Sequence, residues 1–233
     1  MRGNLEFRGN WTTLFGAILL ATLLTIFTLG IGTPWAYAYL RRTVLSNTYY
    51  QGRALQFDGT GGQVLGQYLI IFLLTLITLG FYAFLGFASV RILRWDAEHT
   101  ILPNGKRLEY RGTGLDLLGE LLLIYILSAL TLGIYFFWGY ARLRRHILTH
   151  TTVDGRPLQF TGTGGQYFGV AFVNLLLTTI TLGLYSLLGF ASVRELRWDA
   201  ENTILPEMPE ATAAPPNAPA GGRPIQVTVN VNQ

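Results

Sequence analysis

Charge is scarce in this chain of 233 residues, and cysteine is missing altogether. Without cysteine the chain can form no disulfides and has no thiolate nucleophiles or cysteine metal ligands. Only 13% of the residues are charged and 50% are hydrophobic, whereas about 25% of the residues in a typical soluble domain are charged. The composition therefore favours a membrane protein over a soluble globular one.

The charges that are present are also segregated along the chain. No charged residue occurs between Arg8 and Arg41, between Asp58 and Arg91, between Glu120 and Arg142, or between Arg156 and Arg194. Each gap is long enough for a membrane helix, which needs about 20 apolar residues. The first gap is copied three more times, so we interpret it as a structural segment and not as a removable signal peptide.

One sequence pattern is repeated four times along the chain. Each copy has the pattern L-x-[FY]-x-G, a charge-free apolar run, a Leu-Gly pair and an arginine eleven residues after that glycine. The pairs are Leu29-Gly30, Leu79-Gly80, Leu132-Gly133 and Leu182-Gly183, and the arginines are Arg41, Arg91, Arg144 and Arg194. A constant offset of 103 relates the first two copies to the last two, which favours a bundle with a pseudo-twofold axis.

Local signals predict a helix hairpin in each copy. In the fourth copy, Asp154-Gly155 predicts a β-hairpin turn, Thr163 is the candidate cap of a long apolar helix, and Leu182-Gly183 ends that helix. A second helix is expected from about Tyr185 to Asn202. It has only eleven positions from Gly183 to Arg194, or ~16 Å, so both a full crossing of the bilayer and a partly re-entrant hairpin remain open.

The expected fold is an all-α polytopic membrane protein. Four tandem helix hairpins give about eight membrane-embedded segments, joined by short cytoplasmic β-hairpins. The repeats cover about 5–48, 55–101, 108–151 and 158–205 within a membrane domain of residues 1–206. A linker rich in Pro, Ala and Gly follows at 207–224, and 225–233 is a strand-like tail.

Arginine also predicts the orientation of the chain. Arginine and the single lysine, Lys106, lie at the repeat ends and not at the Leu-Gly turns. The positive-inside rule places both termini and the hairpins on the cytoplasmic side of the membrane. The net charge of +4 indicates anionic lipid headgroups as partners, and no interleaving of aromatic and basic residues suggests nucleic acid.

Several of these motifs resemble those of the YjgN-like bacterial inner-membrane proteins, a family defined by a domain of unknown function. The best matches are residues 131–138 (TLGIYFFW) and 160–164 (FTGTG). The first copy departs from the pattern, since Gly9-Asn10-Trp11 replaces the Gly-Thr-Gly start. The resemblance covers about residues 5–205 and implies a location in the bacterial cytoplasmic membrane. It supplies no catalytic or binding residues.

The arginine quartet is the first candidate site. Arg41, Arg91, Arg144 and Arg194 share one repeat position, and four guanidinium groups around an axis could bind an anion or lipid phosphates. Alternatively, they are interfacial anchors that stabilise the topology. Short-range spacing also predicts local ion pairs between Arg94 and Asp96 and between Arg197 and Asp199.

The second candidate is a pair of carboxylates on the long helix of the third copy. Asp116 and Glu120 lie four residues apart, on one helix face. Because an intramembrane carboxylate is a functional hypothesis by default, Glu120 is a candidate proton or cation site. A structural salt bridge to Arg142, Arg144 or Arg145 is the alternative.

Other chemistries find little support in the sequence. The Gly-Thr-Gly starts are too short for a nucleotide loop, and the Walker lysine is absent. His146 and His150 lie four apart, but no further residue completes a metal motif. We therefore predict no catalysis, no metal and no cofactor.

Two functions remain open at this point. The first is a permease or channel-like protein for a small solute, an anion or a lipid. The second is a non-catalytic accessory or scaffold subunit of a larger membrane complex, with residues 225–232 adding a strand to a partner protein.

Overall fold

In the computed structural model, residues 3–207 are described, and they form ten helices and ten strands. The helices are α1 (Trp11–Phe27), α2 (Thr33–Ser46), α3 (Gly61–Ile77), α4 (Phe81–Phe84), α5 (Phe87–Glu98), α6 (Gly114–Leu130), α7 (Phe136–Thr149), α8 (Gly164–Ile180), α9 (Leu184–Leu187) and α10 (Phe190–Glu201). The strands are β1 (Gly3–Phe7), β2 (Thr48–Tyr50), β3 (Arg53–Ala54), β4 (Gln56–Phe57), β5 (Thr100–Ile101), β6 (Glu109–Tyr110), β7 (Thr151–Val153), β8 (Arg156–Pro157), β9 (Gln159–Phe160) and β10 (Thr203–Leu205).

Eight of these helices pack side by side in a closed ring. The order is α1, α2, α3, α5, α6, α7, α8 and α10, and α10 returns to α1. Trp11 of α1 stacks on Phe190 of α10 with ring centroids 5.1 Å apart, which closes the ring. The short helices α4 and α9 follow the Leu-Gly turns of the second and fourth copies.

The strands gather at one end of the hairpins and repeat with the offset of 103. Gln56 pairs with Ile101 in the same way that Gln159 pairs with Ile204. Strand β1 pairs with β10 through Asn4 and Ile204. The equivalent contact at the other junction is the bridge between Arg107, which corresponds to Asn4, and Ile101, which corresponds to Ile204. The two halves are therefore joined to each other by equivalent contacts at both junctions.

The long helices α3, α6 and α8 each begin at a threonine cap and a close glycine contact. The Thr163 hydroxyl accepts a hydrogen bond from the Gln166 N–H, and the Gln166 side chain accepts one from the Thr163 N–H, which is a capping box. A Cβ on the next residue, Gly164, would stand 2.4 Å from the Trp138 ring. Glycine at this position lets α8 start directly against α7.

Each hairpin turns at a Thr-Leu-Gly sequence, which we call an apex. The leucine and the glycine both have positive φ, 51° at Leu182 and 92° at Gly183. The Gly183 N–H reaches back to the Thr178 carbonyl at 2.7 Å. This type of bond closes the end of a helix when a residue in the left-handed region follows it.

The prediction of an all-α polytopic membrane protein is wrong. The four long helices have 17 residues each, and within residues 3–207 no helix combines the length and the apolar character needed to cross a membrane. Antiparallel sheets of five, two and three strands accompany the helices. The apolar runs looked longer in sequence because the left-handed apex that ends each first helix is itself built from apolar residues.

The number of helical segments also differs from the expected eight. Gly86 and Gly189 have φ of 78° and 84°, and each breaks the second helix of its copy into a short piece and a longer one. A Cβ on Gly86 would lie 2.7 Å from the Gly114 carbonyl oxygen. The break thus allows α6 to start against the beginning of α5.

Candidate functional site: an axial ion-pair cluster and two arginine clefts

Two bidentate ion pairs face each other across the pseudo-twofold axis. The Arg41 Nε donates to Asp96 Oδ1 at 2.6 Å, and its Nη2 donates to the other oxygen of the same carboxylate. The Tyr37 hydroxyl also donates to Asp96 Oδ1, at 3.1 Å. Arg144 and Asp199 repeat the pair in the second half, again at 2.6 Å for the Nε bond. We call these four charged residues the axial cluster.

The axial cluster borders a cavity of about 170 Å³. Every residue that lines the cavity has a counterpart 103 positions away that lines it too, so the cavity lies on the pseudo-twofold axis. Four buried threonines contribute to the lining: Thr48, Thr100, Thr151 and Thr203. Each hydroxyl donates to the carbonyl four residues earlier, so only its lone pairs remain to accept a bond.

Electrostatics keep the two arginines of the axial cluster charged. Burial lowers the pKa of Arg41 and Arg144, but the facing carboxylates outweigh burial and the net pKa of each is raised. Burial and the Asp96 carboxylate raise the pKa of Tyr37, which therefore stays a hydrogen-bond donor. Two positive and two negative charges offset each other, which suits an internal brace better than an anion site.

Two clefts open where the halves of the ring meet. The first, of about 500 Å³, is lined by Arg91 and Arg94 of α5 together with Thr113 and Gly114 at the start of α6. Its aromatic wall is a stacked Tyr82–Phe87 pair with centroids 5.9 Å apart. We call this the first arginine cleft.

The second arginine cleft is its counterpart at the other junction. It measures about 550 Å³ and is lined by Arg194 and Arg197 of α10 with Asn10 and Trp11 at the start of α1. Tyr185 and Phe190 form the equivalent aromatic stack, with centroids 5.5 Å apart. Both clefts thus combine two arginines of one helix, an aromatic wall and the N-terminus of a long helix. Arg111 and Glu98 also line the first cleft, and Glu201 lines the second.

The arginines of the clefts are largely free to meet a ligand. Arg91 donates to Gln67 Oε1 at 2.6 Å. Within the described chain, Arg94, Arg194 and Arg197 make no ion pair and are exposed. Paired guanidinium groups beside the positive end of a helix dipole are suited to binding a phosphate-like anion.

The structure separates the four arginines of the predicted quartet. Arg41 and Arg144 lie in the axial cluster, whereas Arg91 and Arg194 lie in the two clefts. The local pairs Arg94–Asp96 and Arg197–Asp199 do not form, because both aspartates face the axis and bind arginines 55 residues away. The anion and lipid roles of the quartet stay predictions.

Glu120 and Asp116 both have local partners. Arg142 donates to the Glu120 carboxylate from Nε and Nη2, at 2.5 and 3.2 Å, and only 13% of the Glu120 side chain is exposed. Of the salt bridges considered as the alternative for Glu120, the one to Arg142 is present. The Thr113 hydroxyl donates to Asp116 at 2.6 Å and lowers the pKa of that carboxyl.

The histidine pair is an aromatic contact between neighbouring turns of α7. The rings of His146 and His150 are 4.4 Å apart, and burial together with His150 lowers the pKa of His146. Within residues 3–207, no three histidine, cysteine, aspartate or glutamate side chains are grouped so that they could hold a metal ion.

Sequence reasoning missed the aspartates of the axial cluster and the second arginine of each cleft. A signal for them was present, because Leu-Arg-Trp-Asp-Ala-Glu occurs at 93–98 and again at 196–201. In a helix, Arg94 and Asp96 are two positions apart and point in different directions. The repeated hexapeptide therefore places an arginine outside and an aspartate inside.

Comparison with known families gives one result. A family model described as a bacterial protein of unknown function, DUF898, matches the chain repeatedly, at residues 2–74, 53–127, 122–166 and 156–228. No curated protein and no solved structure matches the chain. The four matched segments together cover almost the whole sequence and overlap from one copy to the next.

Proposed function

Since the chain belongs to the DUF898 family of bacterial proteins of unknown function, we propose its function from the geometry of the site: it is a lipid-embedded membrane protein that binds anionic phospholipids. The four apices lie in the hydrocarbon of a bilayer. The strands and the β-hairpins that they form stay in water on the cytoplasmic side. The two arginine clefts hold lipid headgroups between these two regions.

The observation that carries the proposal is the leucine at each apex. Leu29, Leu79, Leu132 and Leu182 are 93, 89, 94 and 94% exposed and have φ of 50 to 53°. A left-handed conformation costs a leucine ~1–2 kcal/mol, and this region is normally left to Gly, Asn or Asp. In water, a fully exposed leucine gains no free energy that offsets this conformational cost. In hydrocarbon, the removal of its side chain from water offsets the cost.

The backbone of each apex satisfies itself without solvent. In the fourth copy the Thr181 hydroxyl donates to the Leu177 carbonyl at 2.7 Å and accepts from the Tyr185 N–H at 2.9 Å. Thr28, Thr78 and Thr131 make the same two bonds. Internal pairing of this kind is required in lipid, where an unpaired backbone group costs several kcal/mol.

The distribution of charge agrees with this placement. Residues 9–40, 59–90, 121–141 and 157–193 contain no charged side chain. They include α1, α3, α8, the part of α6 that follows Glu120, and all four apices. A helix of 17 residues extends ~25 Å, somewhat less than the ~30 Å hydrocarbon core. The partly re-entrant hairpin is therefore the form of membrane insertion that we propose.

Depth in the bilayer is directly measurable because the chain has no cysteine. Leu132→Cys at an apex and Gln56→Cys on β4 each create a single thiol for an environment-sensitive fluorophore. In vesicles, we expect the label at 132 to be quenched by acyl-chain quenchers and the label at 56 by aqueous iodide. Iodide quenching of both labels to the same extent would rule out insertion of the apices.

The clefts predict a charge-dependent lipid stoichiometry. Replacing Arg194 and Arg197 by glutamine removes the cationic partners of one cleft. We expect its affinity for phosphatidylglycerol to fall ~10- to 100-fold, because each exposed arginine near an anionic lipid contributes ~1 kcal/mol and two are removed. Native mass spectrometry of the full chain should then show about half of the retained phosphatidylglycerol. The matched control, Arg53→Gln with Arg156→Gln, removes two charges from the hairpins.

Equal retention of phosphatidylglycerol by the cleft variant and the hairpin control would exclude specific headgroup binding. A stoichiometric partner protein retained in place of lipid would favour the accessory-subunit function instead. The segment proposed for such a partner, residues 225–232, lies outside the described residues.

A further inference from the structure

One position in the ring breaks the symmetry between the halves. Ile71 of α3 and Ile92 of α5 line an open apolar groove of about 790 Å³, whose other wall is formed by residues of α6 and α7. Their counterparts, 103 residues later, are Asn174 of α8 and Glu195 of α10. Two isoleucines in one half thus correspond to an amide and a carboxylate in the other.

Asn174 is held in place but has one unused acceptor. The residue is 6% exposed, and its Nδ2 donates to the Ala191 carbonyl and to Glu195 Oε1, both at 3.3 Å. Its Oδ1 is buried without a hydrogen-bond partner. Buried polar atoms are nearly always paired, so an unpaired one needs an explanation, such as an ion that belongs there.

Glu195 likewise lacks a positive partner. Among residues 3–207, no arginine, lysine or histidine lies within ion-pair distance of its carboxylate. Every other carboxylate that faces the interior has such a partner: Asp96 binds Arg41, Glu120 binds Arg142 and Asp199 binds Arg144. Within the described chain, the Glu195 carboxylate thus accepts from the Asn174 amide nitrogen and meets no cationic side chain, while the oxygen of the same amide has no partner.

We propose that Asn174 and Glu195 form a binding site for a single monovalent cation, an alkali ion or ammonium. Carboxylate and amide oxygens are hard ligands that suit such ions. One carboxylate with one neutral oxygen matches one positive charge, whereas divalent ions need more anionic ligands. Neither Asn174 nor Glu195 lines an arginine cleft, and cation binding here does not depend on lipid binding.

Carbodiimide labelling tests the site on the full chain in detergent. Dicyclohexylcarbodiimide modifies carboxylic acids in apolar surroundings, and a bound cation protects them. We expect sodium, potassium or ammonium chloride to slow labelling of Glu195 about tenfold relative to choline chloride at equal ionic strength, because a bound ion stabilises the occupied form by mass action. Glu120, already paired with Arg142, is the internal control and should not respond to the cation.

The first half of the chain supplies the matched variants. Asn174→Ile copies Ile71, removes the amide oxygen and should abolish protection of Glu195. Asn174→Ile combined with Glu195→Ile reproduces the apolar arrangement of the first half, so this variant should fold and show no cation-dependent change in Tm, whereas the parent chain gains Tm. Equal labelling of Glu195 in all salts would overturn the proposal. Labelling that responds to protonation alone and not to the cation would overturn it as well.

Discussion

Replacing Leu29, Leu79, Leu132 and Leu182 together by aspartate is expected to abolish association of the protein with lipid vesicles. Each charge costs up to about 3 kcal/mol in hydrocarbon, so four cost up to about 12 kcal/mol. Aspartate adopts the left-handed conformation of these positions more readily than leucine does. The substitutions therefore act on lipid insertion and leave the turns intact. Flotation of reconstituted vesicles on a density gradient measures the loss.

The control for this experiment replaces the same four leucines by methionine. Methionine keeps the apices apolar and, like leucine, is not branched at Cβ, so vesicle binding should match that of the parent chain. Folding of both variants is checked by far-UV circular dichroism in detergent. If the aspartate variant floats as the methionine variant does, the apices are not embedded in lipid.

The second large effect is expected in the axial cluster. Asp199→Ala leaves the Arg144 guanidinium facing the cavity without its carboxylate, and the side chains of this pair are only 20 and 29% exposed. Breaking a buried pair costs about 3–5 kcal/mol, and the partial exposure places this case near ~3 kcal/mol. The loss should appear in the free energy of unfolding measured with denaturant in detergent.

Two further variants isolate the cause of that loss. Replacing Arg144 and Asp199 together by leucine removes both charges, so the destabilisation should be much smaller than for Asp199→Ala. Glu6→Ala breaks an exposed pair with Arg8 and should have little effect on stability. A free energy of unfolding for Asp199→Ala within 0.5 kcal/mol of the parent, about the size of a surface substitution, would show that the cluster is not a brace.

Local signals in the sequence were sufficient for the turns, the caps and the repeat. Thr163 caps its helix, Asp154-Gly155 forms a turn with both φ positive, and the offset of 103 describes the strand registers. The resemblance to the YjgN-like proteins is confirmed at the level of a bacterial family of unknown function. These features depend on a few neighbouring residues, which is why a sequence pattern predicts them.

Features that depend on distant partners were not predictable in this way. The run Leu85–Val90 is uncharged and its sequence predicts a continuous helix, yet Gly86 breaks it because the start of α6 needs the space. Asp96 was assigned a neighbouring arginine, whereas the ring brings Arg41 to it from 55 residues away.

The equivalent junctions between the halves have a consequence for how this chain diverged. Strand β1 meets β10 as the Arg107 segment meets Ile101, so one half carries both surfaces needed to pair with a copy of itself. In a dimer of two identical halves, every substitution would be present in both halves. Fusion into a single polypeptide removes that constraint, because each half can then change alone. The second half has Asn174 and Glu195 where the first half has Ile71 and Ile92, and gene fusion makes such one-sided specialisation accessible.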